Sequence, residues 1–197
     1  MNALISEAIP PRSTGLTGTA GEYFVAAELS QRGWLATVTI KNAPGTDVLA
    51  QEPTTGTIIA IQTKTASEGN QFLLNKKCEV PTSALSDWYI LVKLHKLGIR
   101  PTFYIVPRNI IAGAAYAQHR EWLARPDRTG KPHNDNDRRM LLAKHFSDYE
   151  DRWELLNSPT TEAPLLLGQW YCECVENFGL PDGHPGWPEK QSPRMTL

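Results

Sequence analysis

Cysteine, net charge and long hydrophobic runs are all scarce in this chain of 197 residues. Its three cysteines are too few for a disulfide framework, which excludes the small disulfide-stapled class and favours a reducing compartment. No apolar run approaches the roughly 18 residues of a membrane span, so we expect no membrane partner. The start of the chain, MNALISEAIPPRSTG, lacks a basic region followed by a long apolar stretch. We therefore expect no secretory signal and a cytoplasmic protein.

The net charge of -1 is too small to support a nucleic-acid partner by itself. The charges are unevenly distributed, however. Residues 1–144 hold 17 Lys and Arg against 12 Asp and Glu, whereas residues 145–197 hold 3 against 9. A mildly basic body with an acidic tail permits phosphate binding on one face. With 41% hydrophobic and 21% charged residues, the composition is that of a globular protein and excludes disordered and fibrous classes.

The pattern of turn residues and hydrophobic segments divides the chain into three parts. Prolines and glycines punctuate residues 1–18, which we expect to form a flexible N-terminal segment. Residues 19–157 carry the helix and strand signals and are expected to form one domain. Residues 158–197 contain six prolines and form a Pro-rich acidic extension, whose last twenty residues we expect to be extended or disordered.

The first element is a predicted helix over residues 20–32. Thr19 is a suitable N-cap, Glu22 stands three residues later as in a capping box, and Gly33 is a good C-terminal stop. Glu22 also falls on the apolar stripe of this helix. It therefore has two readings, as a capping residue or as a functional carboxylate at the edge of the core.

Residues 47–51 and 58–65 read as two strands joined by the turn-rich sequence EPTTGT. A turn centred between Thr54 and Thr55 places Asp47 opposite Gln62, and the period of two places Gln62 and Lys64 on one face. A carboxylate, an amide and an ammonium group would then converge. Alternatively, Asp47 is an ordinary turn residue and Lys64 a solvated strand residue.

The remaining pattern completes a coarse order of helix, three strands, a weak element, two strands and further helices. The first of the three strands covers residues 34–40, and a strand pair is expected over 87–94 and 102–106. The weaker elements are a short strand at 72–74, a brief helix at 81–85, helices at 107–123 and 137–146 with Asp137 as N-cap of the latter, and one or two turns within 149–156. This order predicts an α/β sandwich with a mixed sheet.

Three short motifs in this order resemble the PD-(D/E)xK nuclease superfamily, which includes many restriction endonucleases and the archaeal Holliday junction resolvases. They are Glu22 in TAGEYFVAAEL, Asp47 in PGTDVLA, and the sequence QTK at residues 62–64. The resemblance covers about residues 19–106 and implies a restriction endonuclease-like αβββαβ core. Gly45 and Thr46 replace the proline of the family name, and Gln62 replaces the second acid, as in the Gln-x-Lys variants.

The resemblance implies a metal-dependent DNA endonuclease that uses Mg²⁺, for which Mn²⁺ can substitute. Asp47, the Gln62 amide and the backbone carbonyl of Thr63 would be the metal ligands, with Glu22 holding a metal-bound water. Lys64 would orient or help to deprotonate the attacking water. With one acid replaced by Gln, a single metal ion is expected. A homodimer is the expected assembly, because cutting both strands of DNA needs two sites.

Other residues have weaker functional readings. Two dibasic pairs, Lys76 with Lys77 and Arg138 with Arg139, are candidate nucleic-acid contacts, although such pairs are usually part of a solvated face. Two further functions stay open. The chain is either a catalytically inactive nuclease-like scaffold that binds nucleic acid or protein, as Gln62 suggests, or a docking protein whose tail presents Trp187 between prolines.

Overall fold

The computed structural model describes residues 13–40, 45–67 and 69–186. Within them, a central mixed sheet has the strand order β1-β2-β3-β5-β6, and a separate antiparallel pair is formed by β4 and β7. The strands are β1 (Leu35–Val38), β2 (Val48–Gln51), β3 (Ile58–Ala66), β4 (Gln71–Asn75), β5 (Asp87–Lys93), β6 (Thr102–Pro107) and β7 (Arg138–Leu142); the α-helices are α1 (Thr14–Gln31), α2 (Arg108–Ala124) and α3 (Gln169–Phe178).

The predicted α/β class is confirmed, since helices flank a mixed five-stranded sheet. The first three strands form an antiparallel meander, β3 pairs in parallel with β5, and β5 pairs antiparallel with β6. The parallel step needs a crossover, and here the crossover contains β4 and a 3₁₀ helix at Lys76–Glu79 in place of an α-helix. This crossover lies over one face of the central sheet and forms one side of the candidate site.

Strand β5 is the centre of the hydrophobic core. Its residues from Trp88 to Val92 are all buried, and its neighbour β6 is buried from Phe103 to Val106. A continuous apolar run of this kind is typical of a strand covered on both faces. The sequence DWYILVKL predicted the strand because β-branched and aromatic residues favour such positions.

Helix α1 begins earlier than the sequence predicts. Ser13 is the N-cap, and its side-chain oxygen accepts the Leu16 N–H at 3.2 Å. The predicted N-cap at Thr19 is therefore wrong, because this residue lies one and a half turns inside the helix. The predicted stop is confirmed, as the helix ends at Gln31 and Gly33 follows with φ of +87°.

The largest error of the sequence analysis is the helix predicted at 137–146. Residues Arg138–Leu142 form β7 instead, paired with β4 from Gln71 to Asn75. The burial of β7 alternates, with Arg139 and Leu141 inside. A charged residue at an inward position hides the period-2 pattern, so the helix-forming residues around it dominated the prediction.

Other elements also differ from expectation. The brief helix predicted at 81–85 is wrong, since these described residues form no helix and the 3₁₀ helix of this region lies at Lys76–Glu79. Helix α3 was not predicted, since the prolines around it suggested an extended chain. Residues 187–197, including Trp187, lie outside the described part. None of the described helices is long and apolar enough to cross a membrane.

Candidate active site

Asp47 lies directly before β2, at the end of its pairing with β3. Val48 pairs with Ile61, and the Asp47 N–H also donates to the Ile61 carbonyl, at 2.8 Å, so the regular register ends here and the predicted pairing of Asp47 with Gln62 is not part of it. The Asp47 Oδ2 atom accepts the backbone N–H of Thr63 at 2.7 Å. The carboxylate is therefore anchored directly beside the Gln-Thr-Lys segment of β3.

The turn that sets this register is stabilised by Glu52. Its carboxylate accepts the backbone N–H groups of Thr55 at 2.5 Å and Thr54 at 3.1 Å, and its own N–H donates to the Thr57 carbonyl at 2.9 Å. The bonds from Thr55 and Thr54 lower the pKa of Glu52 to about 2. Gly56, with φ of +73°, supplies the left-handed residue that the turn requires.

Gln62 and Lys64 share one face of β3, as the alternation of side chains requires. In the parallel pairing with β5, Gln62 lies beside Tyr89 and Lys64 beside Leu91. Both polar side chains are half-buried, whereas Thr63 between them faces the other side and is buried. The amide and the ammonium group therefore project from a hydrophobic sheet towards the crossover.

A cleft of about 630 Å³ separates this face from the crossover. The sheet contributes the polar groups of Gln62, Lys64 and Tyr89, and the crossover contributes Lys77 and Cys78. The full lining is Gly45, Thr46, Gln62, Lys64, Leu73, Leu74, Asn75, Lys77, Cys78, Asp87, Tyr89 and Arg108. We refer to this space as the cleft.

The cleft carries an excess of positive charge. Lys64, Lys77 and Arg108 line it, and none of the three forms an ion pair within the described residues. Asp87 is the acid in the lining, and its carboxylate accepts the Thr82 hydroxyl at 3.2 Å. Unpaired cations on a concave surface attract an anionic ligand such as a phosphate.

The phenol and the thiol in the cleft are held in their neutral forms. Burial raises the pKa of Cys78 to about 12, with the charge of Glu79 as a smaller cause. Burial also raises the pKa of Tyr89, and the nearby carboxylates of Asp47 and Asp87 act in the same direction. Raised pKa values of this kind make the thiolate and the phenolate minor species near neutral pH.

Arg108 is a cleft residue that the sequence analysis missed. It is the first residue of α2, and its Nε atom is buried without a hydrogen-bond partner in the part of the chain described. Its Nη1 atom lies close to Gly45, since a β-carbon on that glycine would be 3.7 Å away. The sequence signal was a basic residue directly after a buried strand, a position where loops and helix starts often carry function.

Glu22 lies on α1, and α1 packs on the other side of β3. Gly21 contacts Thr65 so closely that a β-carbon on this glycine would lie 2.0 Å from the Thr65 hydroxyl. Thr65 projects from the face opposite to Gln62 and Lys64. Glu22 is half-buried and is not among the residues that line the cleft. Its predicted role as a water-mediated metal ligand stays a prediction.

The oxygen donors beside the cleft fit one hard cation better than a cage of carboxylates. Asp47 supplies a carboxylate, one oxygen of which is held by the Thr63 N–H, and Gln62, the residue before Thr63, supplies a neutral amide oxygen that lines the cleft. In the described ranges, no group of three or more His, Cys, Asp or Glu side chains is arranged to hold a metal ion. Mg²⁺ is commonly bound through one or two carboxylates while it retains several waters, so these donors fit it.

The two dibasic pairs differ in what they can contact. Lys77 lines the cleft, and Lys76 is exposed with its Nζ 3.9 Å from Asp135. Arg138 is exposed, whereas Arg139 is buried and its guanidinium is bound by the Glu79 carboxylate. Arg139 is therefore part of the interior, and we leave it out of the candidate nucleic-acid contacts.

Comparison with known proteins gives structural likeness only. No protein-family model matches the sequence, and no curated protein matches it. A bacterial homing endonuclease is similar in structure, with 12% identity, a TM-score of 0.45, and coverage of 75% of this chain and 94% of its own. The Holliday junction resolvase Hjc of Archaeoglobus fulgidus gives 12% identity, a TM-score of 0.42, and coverage of 72% and 96%. Both similarities are distant, so function has to be inferred from the chain's own residues.

Proposed function

We propose that this protein is a metal-dependent DNA endonuclease of the restriction endonuclease-like type, in its Gln-x-Lys form. The observation that carries the proposal is the anchored Asp47 carboxylate, whose Oδ2 atom accepts the Thr63 N–H at 2.7 Å and therefore lies beside the Gln-Thr-Lys segment of β3. Gln62 and Lys64 then face a cleft whose cations form no ion pair with any residue that the structure describes. A phosphodiester is the anion that this combination of metal ligands, ammonium group and unpaired cations fits best.

Each residue has a role in this proposal. Asp47, Gln62 and the Thr63 carbonyl would hold Mg²⁺ or Mn²⁺, which when bound offsets the negative charge that develops on the phosphate. Lys64 donates hydrogen bonds from Nζ and orients the water that attacks phosphorus. Arg108 and Lys77 hold the phosphates of the bound strand in the cleft. The apolar sheet beneath these groups excludes water and strengthens their interactions.

Cleavage of DNA by the purified protein tests the proposal directly. Supercoiled plasmid incubated with Mg²⁺ or Mn²⁺ should be cut, and Asp47→Ala or Lys64→Ala should abolish the cutting. Asp182→Ala and Lys96→Ala remove the same residue types from exposed positions outside the cleft and should cut normally. Activity that survives both the Asp47 and the Lys64 substitution would remove the assignment, as would an uncut plasmid under every metal condition.

A non-cleaving scaffold is the second candidate. It is favoured by the small number of acids, because Asp47 is joined by the amide of Gln62 and not by another carboxylate. Isothermal titration with Mn²⁺ separates the two candidates. Binding that is lost in Asp47→Ala supports the enzyme, whereas the absence of any metal binding, with DNA binding retained, supports the scaffold.

The assembly follows from the same proposal. A single cleft cuts one strand, so a double-strand break requires a second copy of the chain or a second binding event. We propose a homodimer on DNA. Sedimentation of the protein with and without a short duplex, in EDTA, should show two chains per duplex if the proposal holds.

A further inference from the structure

A second cavity lies beside the cleft and has a different character. It measures about 310 Å³ and is formed between the C-terminal half of α2 and the outer face of the β4 and β7 pair. Gln118 and Trp122 belong to α2, while Leu73 and Met140 pair across the two strands. These two apolar side chains are 70% and 36% exposed. We refer to this cavity as the α2 pocket.

The α2 pocket contains one polar group whose hydrogen bonding is incomplete. Gln118 is only 9% exposed, and its Oε1 atom is buried with no partner among the residues described. A buried carbonyl oxygen without a donor is unfavourable and is rare in folded proteins. A hydrogen-bond donor that reaches this oxygen from the pocket would complete its bonding.

The aromatic side of the α2 pocket is fixed before any ligand binds. Trp122 stacks on His133 with ring centroids 4.0 Å apart and packs near His119 at 5.4 Å. His119 is held in turn by Asp135, with 2.7 Å between Nε2 and Oδ1. With both neighbours in place, Trp122 forms a rigid wall opposite Leu73. A flat, largely apolar ligand suits such a site better than a flexible one.

The surroundings of the α2 pocket indicate an anionic ligand that extends into the cleft. Arg138 lines the pocket, is exposed, and forms no ion pair within the described ranges. Leu73 lines both the α2 pocket and the cleft, so the two spaces are neighbours across β4. One ligand with a flat ring and adjoining phosphates would satisfy Gln118, Arg138 and the cleft cations together.

We propose that the α2 pocket binds an unstacked nucleobase that carries an exocyclic amino group, with adenine as the best fit. The amino group donates to Gln118 Oε1, and an amide of this kind can pair with both N6 and N7 of adenine. Arg138 contacts the phosphate of the same nucleotide. A base reaches such a pocket only from a single strand, a bulge or a flipped position. This inference rests on the proposed function for the identity of the ligand as DNA.

Titration with a single nucleotide tests the pocket without cleavage. Deoxyadenosine 5′-monophosphate is added to ¹⁵N-labelled protein in EDTA, and deoxyribose 5-phosphate serves as the ligand that lacks the base. The side-chain amide signal of Gln118, assigned by its loss in Gln118→Leu, should shift with the nucleotide and not with the sugar phosphate.

Oligonucleotide binding extends the test to the full ligand. A duplex with one bulged adenine is compared with the same duplex carrying an abasic bulge, again in EDTA. The intact protein should prefer the adenine, and Gln118→Leu, which keeps the volume and removes the acceptor, should reduce that preference about tenfold. Arg138→Gln should weaken both duplexes alike, whereas Gln31→Leu and Arg128→Gln, at exposed positions outside the pocket, should change neither.

Two results would overturn the inference. One is equal binding of the adenine and abasic duplexes by the intact protein. The other is an adenine preference that Gln118→Leu leaves unchanged, which would mean that solvent alone completes the amide. These outcomes are separable from failure of the proposed function. If the protein cuts plasmid but shows no base preference, only the proposal of nucleobase binding in the α2 pocket is refuted. If it binds the nucleotide but never cuts DNA, only the proposed nuclease activity is refuted.

Discussion

Charged side chains on the two sides of the 3₁₀ helix at Lys76–Glu79 differ in their ion pairing. On one side, Lys77 faces the cleft, where Arg108 and Lys64 also lack ion-pair partners in the described residues. On the other side, Glu79 binds the guanidinium of Arg139, whose side chain is only 2% exposed. This one short helix therefore lies between the cleft, whose cations have no ion-pair partner among the described residues, and the buried ion pair of Glu79 with Arg139.

This contrast separates a charge that is neutralised within the fold from cations that have no ion-pair partner among the described residues. A buried charge is tolerated when it is paired and hydrogen-bonded, as Arg139 is by Glu79 and by the carbonyls of Arg138 and Asn136. Cations left unpaired in a concave site lower the stability of the empty protein and favour an anion there. Substitutions on the two sides should therefore change different measurements.

The largest effect is expected on the paired side. Arg139→Met leaves Glu79 buried without its partner and should lower the free energy of unfolding by about 3–5 kcal/mol. Urea unfolding followed by circular dichroism measures the change. The double variant Arg139→Met with Glu79→Leu removes both charges and should recover part of the loss. A loss below about 1 kcal/mol for the single variant would contradict a structural role.

On the cleft side, Lys64→Met should reduce the rate of DNA cleavage by about 100-fold or more, because the ammonium group that orients the water is lost. The side-chain volume is preserved, so the free energy of unfolding should change by less than about 1 kcal/mol. Single-turnover cleavage and urea unfolding, measured on one preparation, give both numbers. Lys96→Met is the exposed control. A large loss of stability with unchanged cleavage would show that Lys64 stabilises the fold and has no role in catalysis.

Arg108→Met should have a smaller effect, confined to binding. Loss of one phosphate contact should weaken DNA binding about five- to tenfold and reduce the slope of log affinity against log salt by about 1. Stability should stay the same or rise slightly, because a buried Nε without a partner is removed. Arg108→Lys restores the charge and should recover part of the affinity, whereas Arg128→Met should resemble the parent protein. An unchanged salt slope would exclude a phosphate contact.

The smallest effect is expected at a third, partly exposed cluster. Hydrogen bonds from Arg100 and Arg32 lower the pKa of Glu28, against the opposing effect of burial. The ordinary pKa of this carboxyl group is 4.5, and a lower pKa in the folded state means that its ionised form stabilises the protein at any pH above 4.5. This contribution is lost as the pH falls from 4.5 through the lowered pKa of the folded state. Thermal melts between pH 7 and 3 should show it. The Glu28→Gln variant should melt at a lower temperature than the parent protein at pH 7, and its melting temperature should fall less steeply as the pH is lowered. An equally steep fall in both proteins would show that ionised Glu28 does not contribute to stability.

Much of the central sheet could be predicted because its strands follow local rules. The turn residues around Gly56 fix the register of β2 and β3, and a continuous apolar run defines β5. Strand β7 could not be found in this way. Its inward Arg139 is compatible with burial only because Glu79, sixty residues earlier in the chain, neutralises it. No local pattern encodes a partner at that distance.

The same distinction applies to the candidate site. Asp47, Gln62 and Lys64 lie close together in sequence, so spacing and alternation were enough to predict that Gln62 and Lys64 share one face of β3 with Asp47 nearby. Arg108 enters the cleft from the far end of β6, and Lys77 enters from the crossover. Glu22 lies on α1, whose Gly21 packs closely against Thr65, and its role at the site stays a prediction.

By itself, the sequence determined the α/β class, the hairpin register and the local grouping of an acid, an amide and a lysine, because each depends on neighbours in the chain. Tertiary structure alone decided which charges are paired. It buried Arg139 against Glu79, placed Arg108 beside Gly45 with no ion-pair partner in the described part of the chain, and set the α2 pocket next to the cleft. The physical reason is that pairing and desolvation depend on distances between side chains far apart in sequence, which only the packed fold fixes.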